Sequence, residues 1–225
     1  MSSALKRPRQ VRVTHPGKQV SEGAGVRLRR VIGGPVVDYV DPFLLLDEFK
    51  SDNPDDYIAG FPWHPHRGIE TVTYMVRGQV RHGDSLGNRG VIGPGDIQWM
   101  TAGHGIVHEE MPGQREGKLW GFQLWVNLPA KDKMCNPRYQ DYQADKIPRV
   151  KHRDAGEVRV VAGEHGGVSG LVSEIAARPL YMDVRLPALS TFQQPIPSGH
   201  KVGHGQPHTK GRPSSACRTS VRRCP

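Results

Sequence analysis

From Thr71 to His108 the chain alternates short β-prone runs with glycine and proline turns, and little else fits that rhythm. Val72, Tyr74 and Val76 alternate with Thr71, Thr73 and Met75, a period-two run rich in β-branched and aromatic residues. Gly78 ends it, and a polar connection follows (Gly83-Asp84-Ser85-Leu86-Gly87-Asn88). Gly93-Pro94-Gly95-Asp96 is a turn whose glycines permit positive φ and whose proline presets it. Ile97-Gln98-Trp99-Met100 resumes a strand, and Thr101-Ala102-Gly103-His104-Gly105 bends the chain into Ile106-Val107-His108. Strand, turn, strand at short regular spacing, with almost no helical period, predicts an all-β antiparallel jelly roll or barrel.

Two motifs frame this stretch. Phe61-Pro62-Trp63-His64-Pro65-His66 contains a His-x-His, and His108-Glu109-Glu110 a His-x-Glu. Residues i and i+2 of a strand point to the same side, so each pair offers two donors to one point. Two such strands side by side converge three imidazoles and one carboxylate. That donor set suits a first-row divalent ion, with non-haem Fe(II) favoured and Mn, Ni, Cu or Zn as competitors. A barrel would shield such a site on most sides and leave it open at one mouth.

The two-part pattern resembles the cupin motifs, and longer stretches narrow the resemblance. Asp41-Pro42-Phe43-Leu44-Leu45-Leu46-Asp47-Glu48-Phe49, then Phe61 to Val72, then Pro94-Gly95-Asp96-Ile97-Gln98-Trp99-Met100-Thr101-Ala102-Gly103, are similar to the pirin family. Gln123-Leu124-Trp125-Val126-Asn127-Leu128-Pro129 extends the match, which runs over residues 11 to 199. The resemblance implies a two-domain cupin with one iron in the N-terminal barrel, held by His64, His66, His108 and Glu110. It also implies one of two roles, a quercetin 2,3-dioxygenase or a nuclear co-regulator of transcription.

Competing assignments remain at this stage. Glu70 has the same parity as His64 and His66, so spacing alone does not exclude it as the carboxylate; the pirin pattern favours Glu110. His82 and His104 read as supporting or loop histidines rather than further ligands, and Glu109 points away from Glu110 into solvent.

The C-terminal part carries a different signal. Residues 1–130 read as the N-terminal barrel, residues 131–156 as an irregular connection with Pro137 and Pro148, and residues 157–199 as the opening of a second cupin domain. Residues 200–225 read as a basic, disordered tail outside the family pattern. From Ser198 onward there is no Leu, Ile, Phe, Tyr, Trp or Met and no acidic residue, whereas six of the 31 basic residues fall there. Such a segment lacks the apolar surface to offset its ordering entropy. The sequence thus leads us to expect a second barrel truncated near His200, by a reading-frame change or a misplaced gene boundary. Its opening strands would expose Met182, Val184 and Leu186, favouring self-association and low solubility.

The tail's charge is not accompanied by aromatic residues for base stacking, so we expect no nucleic-acid binding. His200, His204 and His208 are separated by glycines and a proline that oppose a helix, and Cys217 and Cys224 match no zinc knuckle. Setting those two cysteines aside leaves Cys135, consistent with a reducing compartment. Residues 1 to 12 are basic and lack the apolar stretch of a secretory signal, and no run is long enough to span a bilayer. We therefore expect a cytoplasmic protein, nuclear as well in a eukaryote. Two functions follow. In the first, Fe(II) binds a flavonol-like substrate through its 3-hydroxyl and 4-carbonyl, and Glu110, loosened from the metal, is the catalytic base. In the second, the metal tunes a surface for a protein partner without turnover; a third reading is an inactive truncated product.

Overall fold

The computed structural model describes residues 10–152, 156–185, 187, 192–197, 199–205 and 216–221. Eleven strands come first: β1 (Lys18–Glu22), β2 (Val26–Ile32), β3 (Phe43–Ser51), β4 (Phe61–His66), β5 (Ile69–Arg77), β6 (Val80–Asp84), β7 (Arg89–Ile92), β8 (Ile97–Thr101), β9 (Ile106–Pro112), β10 (Leu119–Asn127) and β11 (Arg138–Tyr142). They form a seven-stranded sheet in the order β1-β2-β3-β10-β5-β8-β11 and a four-stranded sheet in the order β4-β9-β6-β7. Every pairing in these sheets is antiparallel. Among the described residues, helix is confined to single turns at Pro54–Asp56 and Ala130–Asp132. The all-β jelly roll expected from the turn spacing is what the chain adopts.

Alternation along β5 divides the core in two. Met75 points between the two sheets and joins Leu28, Phe49, Tyr57, Val80, Ile92 and Leu119 in the barrel interior. Val72 and Tyr74 point the other way and pack with Trp99, Leu124 and Val126 against Val161, Ile175 and Tyr181 of the C-terminal part. The Tyr74 hydroxyl donates to Asp183 Oδ2 at 2.8 Å, a buried polar contact between the two parts.

The C-terminal part contains β12 (Arg149–His152), β13 (Gly156–Ala162), β14 (Glu164–His165), β15 (Val168–Ser169), β16 (Leu180–Arg185), β17 (Lys201–Gly205) and β18 (Ala216–Val221). Five of them make a sheet ordered β12-β13-β16-β18-β17. Three sequence expectations need correcting here. The connection between residues 131 and 156 is not irregular throughout: β11 extends the first sheet along β8, and β12 pairs with β13. Met182 and Val184 are not exposed but buried, at 1% and 0%, packed with Val158, Val160, Leu180 and Phe192; Leu186 lies outside the described residues. The segment after residue 200 was expected to be disordered, yet β18 pairs with β16, and β17 with β18. Met182 and Val184 are covered by Val158 and Val160 of β13, and β11, β12, β17 and β18 are each paired to a neighbouring strand. A strand edge with unpaired N–H and C=O groups takes up an extended neighbour, even one with few large apolar residues. Residues 206–215 and 222–225 of that segment, including His208 and Cys224, lie outside the described residues.

Candidate metal site

Strand β9 is the middle of the site. Its residues Ile106, His108, Glu110 and Pro112 face inward, while Val107 is exposed. On one side β4 places His64 directly across from His108, after a register irregularity between Phe61 and His64. On the other side β6 places Asp84 across from His108 and His82 across from Glu110.

The donor atoms of His64, His66 and His108 all lie within 4.8 Å of one another. Ring centroids are 4.4 Å apart for His64 and His108, and 4.9 Å apart for both pairs that include His66. These are three of the four ligands expected from the sequence. The fourth, Glu110, is buried beside them and raises the proton affinity of His66, but stands just outside that tight group. Thr73 Oγ1 lies 2.7 Å from Glu110 Oε1 and 2.8 Å from Gln123 Oε1. A hydroxyl has one proton to give. If Thr73 gives it to the carboxylate, the Gln123 amide must turn its NH₂ toward Thr73. One Glu110 oxygen is then held and the other is left to the site.

Electrostatics favour the neutral form of His66 and His108. Burial, reinforced by His108 and His64, pushes His66 down to about 4. Burial, reinforced by His64 and His82, pushes His108 down to about 3. His108 is fully buried, and neither of its ring nitrogens has a hydrogen-bond partner among the described residues. Buried polar atoms are ordinarily paired, so a neutral, orphaned imidazole beside two others is what a metal ligand looks like without its ion. His64 Nδ1 is 2.8 Å from the Pro62 carbonyl oxygen. Donation there fixes the tautomer and leaves Nε2 with its lone pair. The donor set therefore fits a divalent first-row metal.

Glu70 does not share this face. Gly68, at φ 68°, turns the chain between β4 and β5, so the two strands belong to different sheets and parity is not carried across. Within β5, Glu70 lies on the side of Val72 and Tyr74, opposite to Thr73. Its Oε1 accepts from Thr101 at 2.9 Å. His82 is buried behind His108, with ring centroids 5.4 Å apart, and stacks on Tyr139; His104 is exposed in the β8–β9 turn.

A cavity of about 510 Å³ opens onto the site inside the barrel. His64, His66 and Glu110 line it, with Thr73, Gln123 and Trp125. The Trp125 ring meets His66 edge-on at 5.1 Å, and its buried Nε1 has no partner. Sequence reasoning passed over Thr73 and Gln123. The available signal was parity, since a threonine on the side of β5 opposite Val72 and Tyr74 faces the interior.

This geometry has relatives. The pirin family model matches residues 25–126. A protein of Pseudomonas aeruginosa named "Putative quercetin 2,3-dioxygenase" is 52% identical over 202 residues, 88% of this chain and 71% of that protein. The chain belongs to the pirin family. Human pirin is 45% identical over 185 residues, which are 81% of this chain and 61% of that protein. Among solved structures, a quercetin 2,3-dioxygenase from Acinetobacter baumannii superposes with a TM-score of 0.75 at 29% identity, covering 92% of this chain and 79% of the other. The pirin-family jelly roll is thus a cupin fold, and two histidines of its triad, His64 and His66, line the cavity inside it. Among the described residues, no helix is long and apolar enough to cross a membrane.

Proposed function

We propose that His64, His66, His108 and Glu110 hold one metal per chain, Fe(II) where iron is supplied, and that the chain is a flavonol 2,3-dioxygenase. The observation that carries this reading is the convergence of three imidazoles whose donor atoms lie within 4.8 Å of one another, two of them, His64 and His66, lining a 510 Å³ cavity. The names of the Pseudomonas and Acinetobacter relatives supply the substrate class. When bound, the metal supplies Lewis acidity that lowers the pKa of a chelated hydroxyl, and redox chemistry toward O₂.

The protein's own groups have separate tasks. Glu110, held at one oxygen by Thr73, would accept the 3-hydroxyl proton at its other oxygen once that oxygen loosens from the metal. Trp125 Nε1 offers a buried hydrogen bond to an oxygen of the bound molecule. The apolar walls around Leu28, Phe49 and Leu119 exclude water from the reactive ring. The net reaction is flavonol plus O₂ to the ring-opened ester and carbon monoxide, which balances without a further reductant. We likewise read residues 157–199 as the opening of a second cupin unit, supported by the β13–β16 pairing.

Single turnover of iron-loaded protein with a flavonol panel under air tests the reading. Loss of the flavonol absorption with one carbon monoxide per molecule opened is the expected result. Retention of the metal with no consumption of any flavonol would refute the enzyme and favour an interaction module without turnover.

A further inference from the structure

The inner wall of the barrel carries a second polar cluster, well removed from the triad across the sheet. Arg30 Nε donates to Asp47 Oδ1 at 3.0 Å and Nη2 to Oδ2 at 2.8 Å, while Nη1 donates to Glu22 Oε1 at 2.8 Å. All three residues line the same cavity as His64 and His66. They interrupt an otherwise apolar wall formed by Val26, Leu28, Leu45 and Phe49.

The sheet register connects this cluster to the site. Arg30 pairs with Asp47 across β2 and β3, Asp47 with Gln123 across β3 and β10, and Gln123 with Thr73 across β10 and β5. Thr73 in turn meets Glu110. Neighbouring strands are about 4.8 Å apart, so the three steps from Arg30 to Thr73 span roughly 14 Å along the curved wall. A molecule held at the triad by one end and extended along this row would point its other end toward the cluster.

We propose that Glu22, Arg30 and Asp47 form a distal subsite that selects molecules whose end remote from the metal carries hydroxyl donors. This rests on the reading above that the cavity takes a chelating phenolic compound. The chemistry of the cluster sets the preference. One guanidinium faces two carboxylates, so the cluster is net anionic. Three of the five guanidinium N–H groups are already engaged, whereas the carboxylates keep spare lone pairs. A ring bearing hydroxyls donates into those lone pairs. A ring bearing a carboxylate meets two like charges against one opposite charge. A purely structural clasp of β1, β2 and β3 would show no such discrimination.

Affinities of metal-loaded protein for quercetin, for 3-hydroxyflavone and for a flavonol carboxylated on the remote ring, read from the absorption shift of the chelate, test the proposal. In the wild type, quercetin should bind about tenfold or more tighter than 3-hydroxyflavone, and the carboxylated compound weakest. In Asp47→Asn and in Glu22→Gln that quercetin preference should shrink by about tenfold and by a smaller factor, respectively. Glu22 is the more exposed residue, so Glu22→Gln decides the matter if Asp47→Asn fails to fold. Preference ratios unchanged in the folded variants, or a wild type that prefers the carboxylated ring, would overturn the subsite alone. No chelate spectrum with any flavonol on metal-loaded wild type would overturn the subsite together with the function it rests on.

Discussion

His108 is the residue on which the site depends most. It is fully buried between His64 and His82, with no hydrogen-bond partner for either ring nitrogen among the described residues. His108→Ala and His64→Ala should each abolish metal binding, and elemental analysis of the purified variants checks this. Glu110→Gln should weaken metal retention far more than Glu70→Gln, because Glu110 faces the triad and Glu70 faces the side of Val72 and Tyr74. Loss of an anionic ligand should exceed the ~10–100-fold typical of a supporting partner; competition with a chelator at graded concentration gives the ranking. The triad was legible in the sequence because its spacing is the strand period itself. The choice between the two carboxylates was not. It depends on a turn at Gly68 that puts β4 and β5 in different sheets, and period-two counting does not survive such a turn.

At the scale of elements, β4, β5, β8 and β9 were readable because glycine and proline mark their ends and alternation marks their faces, whereas β6 and β7 lie in and beside what reads as a polar connection. The C-terminal strands were misread where the outcome depends on long-range pairing. Met182 and Val184 look orphaned in a local window, but β13 supplies Val158 and Val160 to cover them. Asp47 is a similar case: a carboxylate in the Phe43–Ser51 strand looks out of place until Arg30 from β2 lies beside it. Met182→Ala should cost about 2–5 kcal/mol of stability, as expected for emptying a buried methionine site. Chemical denaturation measures it, and a loss below about 0.5 kcal/mol, the range of an exposed position, would show that the face is open to water after all.

For the whole molecule, acidity is the informative variable. Burial pushes the Glu70 carboxyl up to about 7, against the opposing hydrogen bond from Thr101. Its unfolded value is 4.5, so between those values the folded chain holds a proton that the unfolded chain has released. Stability from this group therefore falls as pH rises from about 4.5 through about 7 and stays low above, by up to about 3 kcal/mol. Glu70→Gln removes the titration. The variant's melting temperature should exceed that of the wild type at pH 8, with the advantage shrinking toward pH 5. Every other titratable group is common to both proteins, so the difference between the two curves isolates Glu70, and parallel curves would contradict the assignment.

Strand β5 has no idle side. Thr73 meets the Glu110 carboxylate within the barrel, and the next residue, Tyr74, is bonded to Asp183 of the C-terminal part. In β4, by contrast, Pro62, Trp63 and Pro65 are open to solvent. A full substitution scan should therefore find tolerant positions in β4 and none from Glu70 to Met75. The failures in β5 should sort by parity: changes at Val72 and Tyr74 lower the amount of folded protein, whereas changes at Thr73 leave the amount intact and lose the chemistry. Evolution can thus redecorate the rim of this barrel far more freely than the wall that its two halves share.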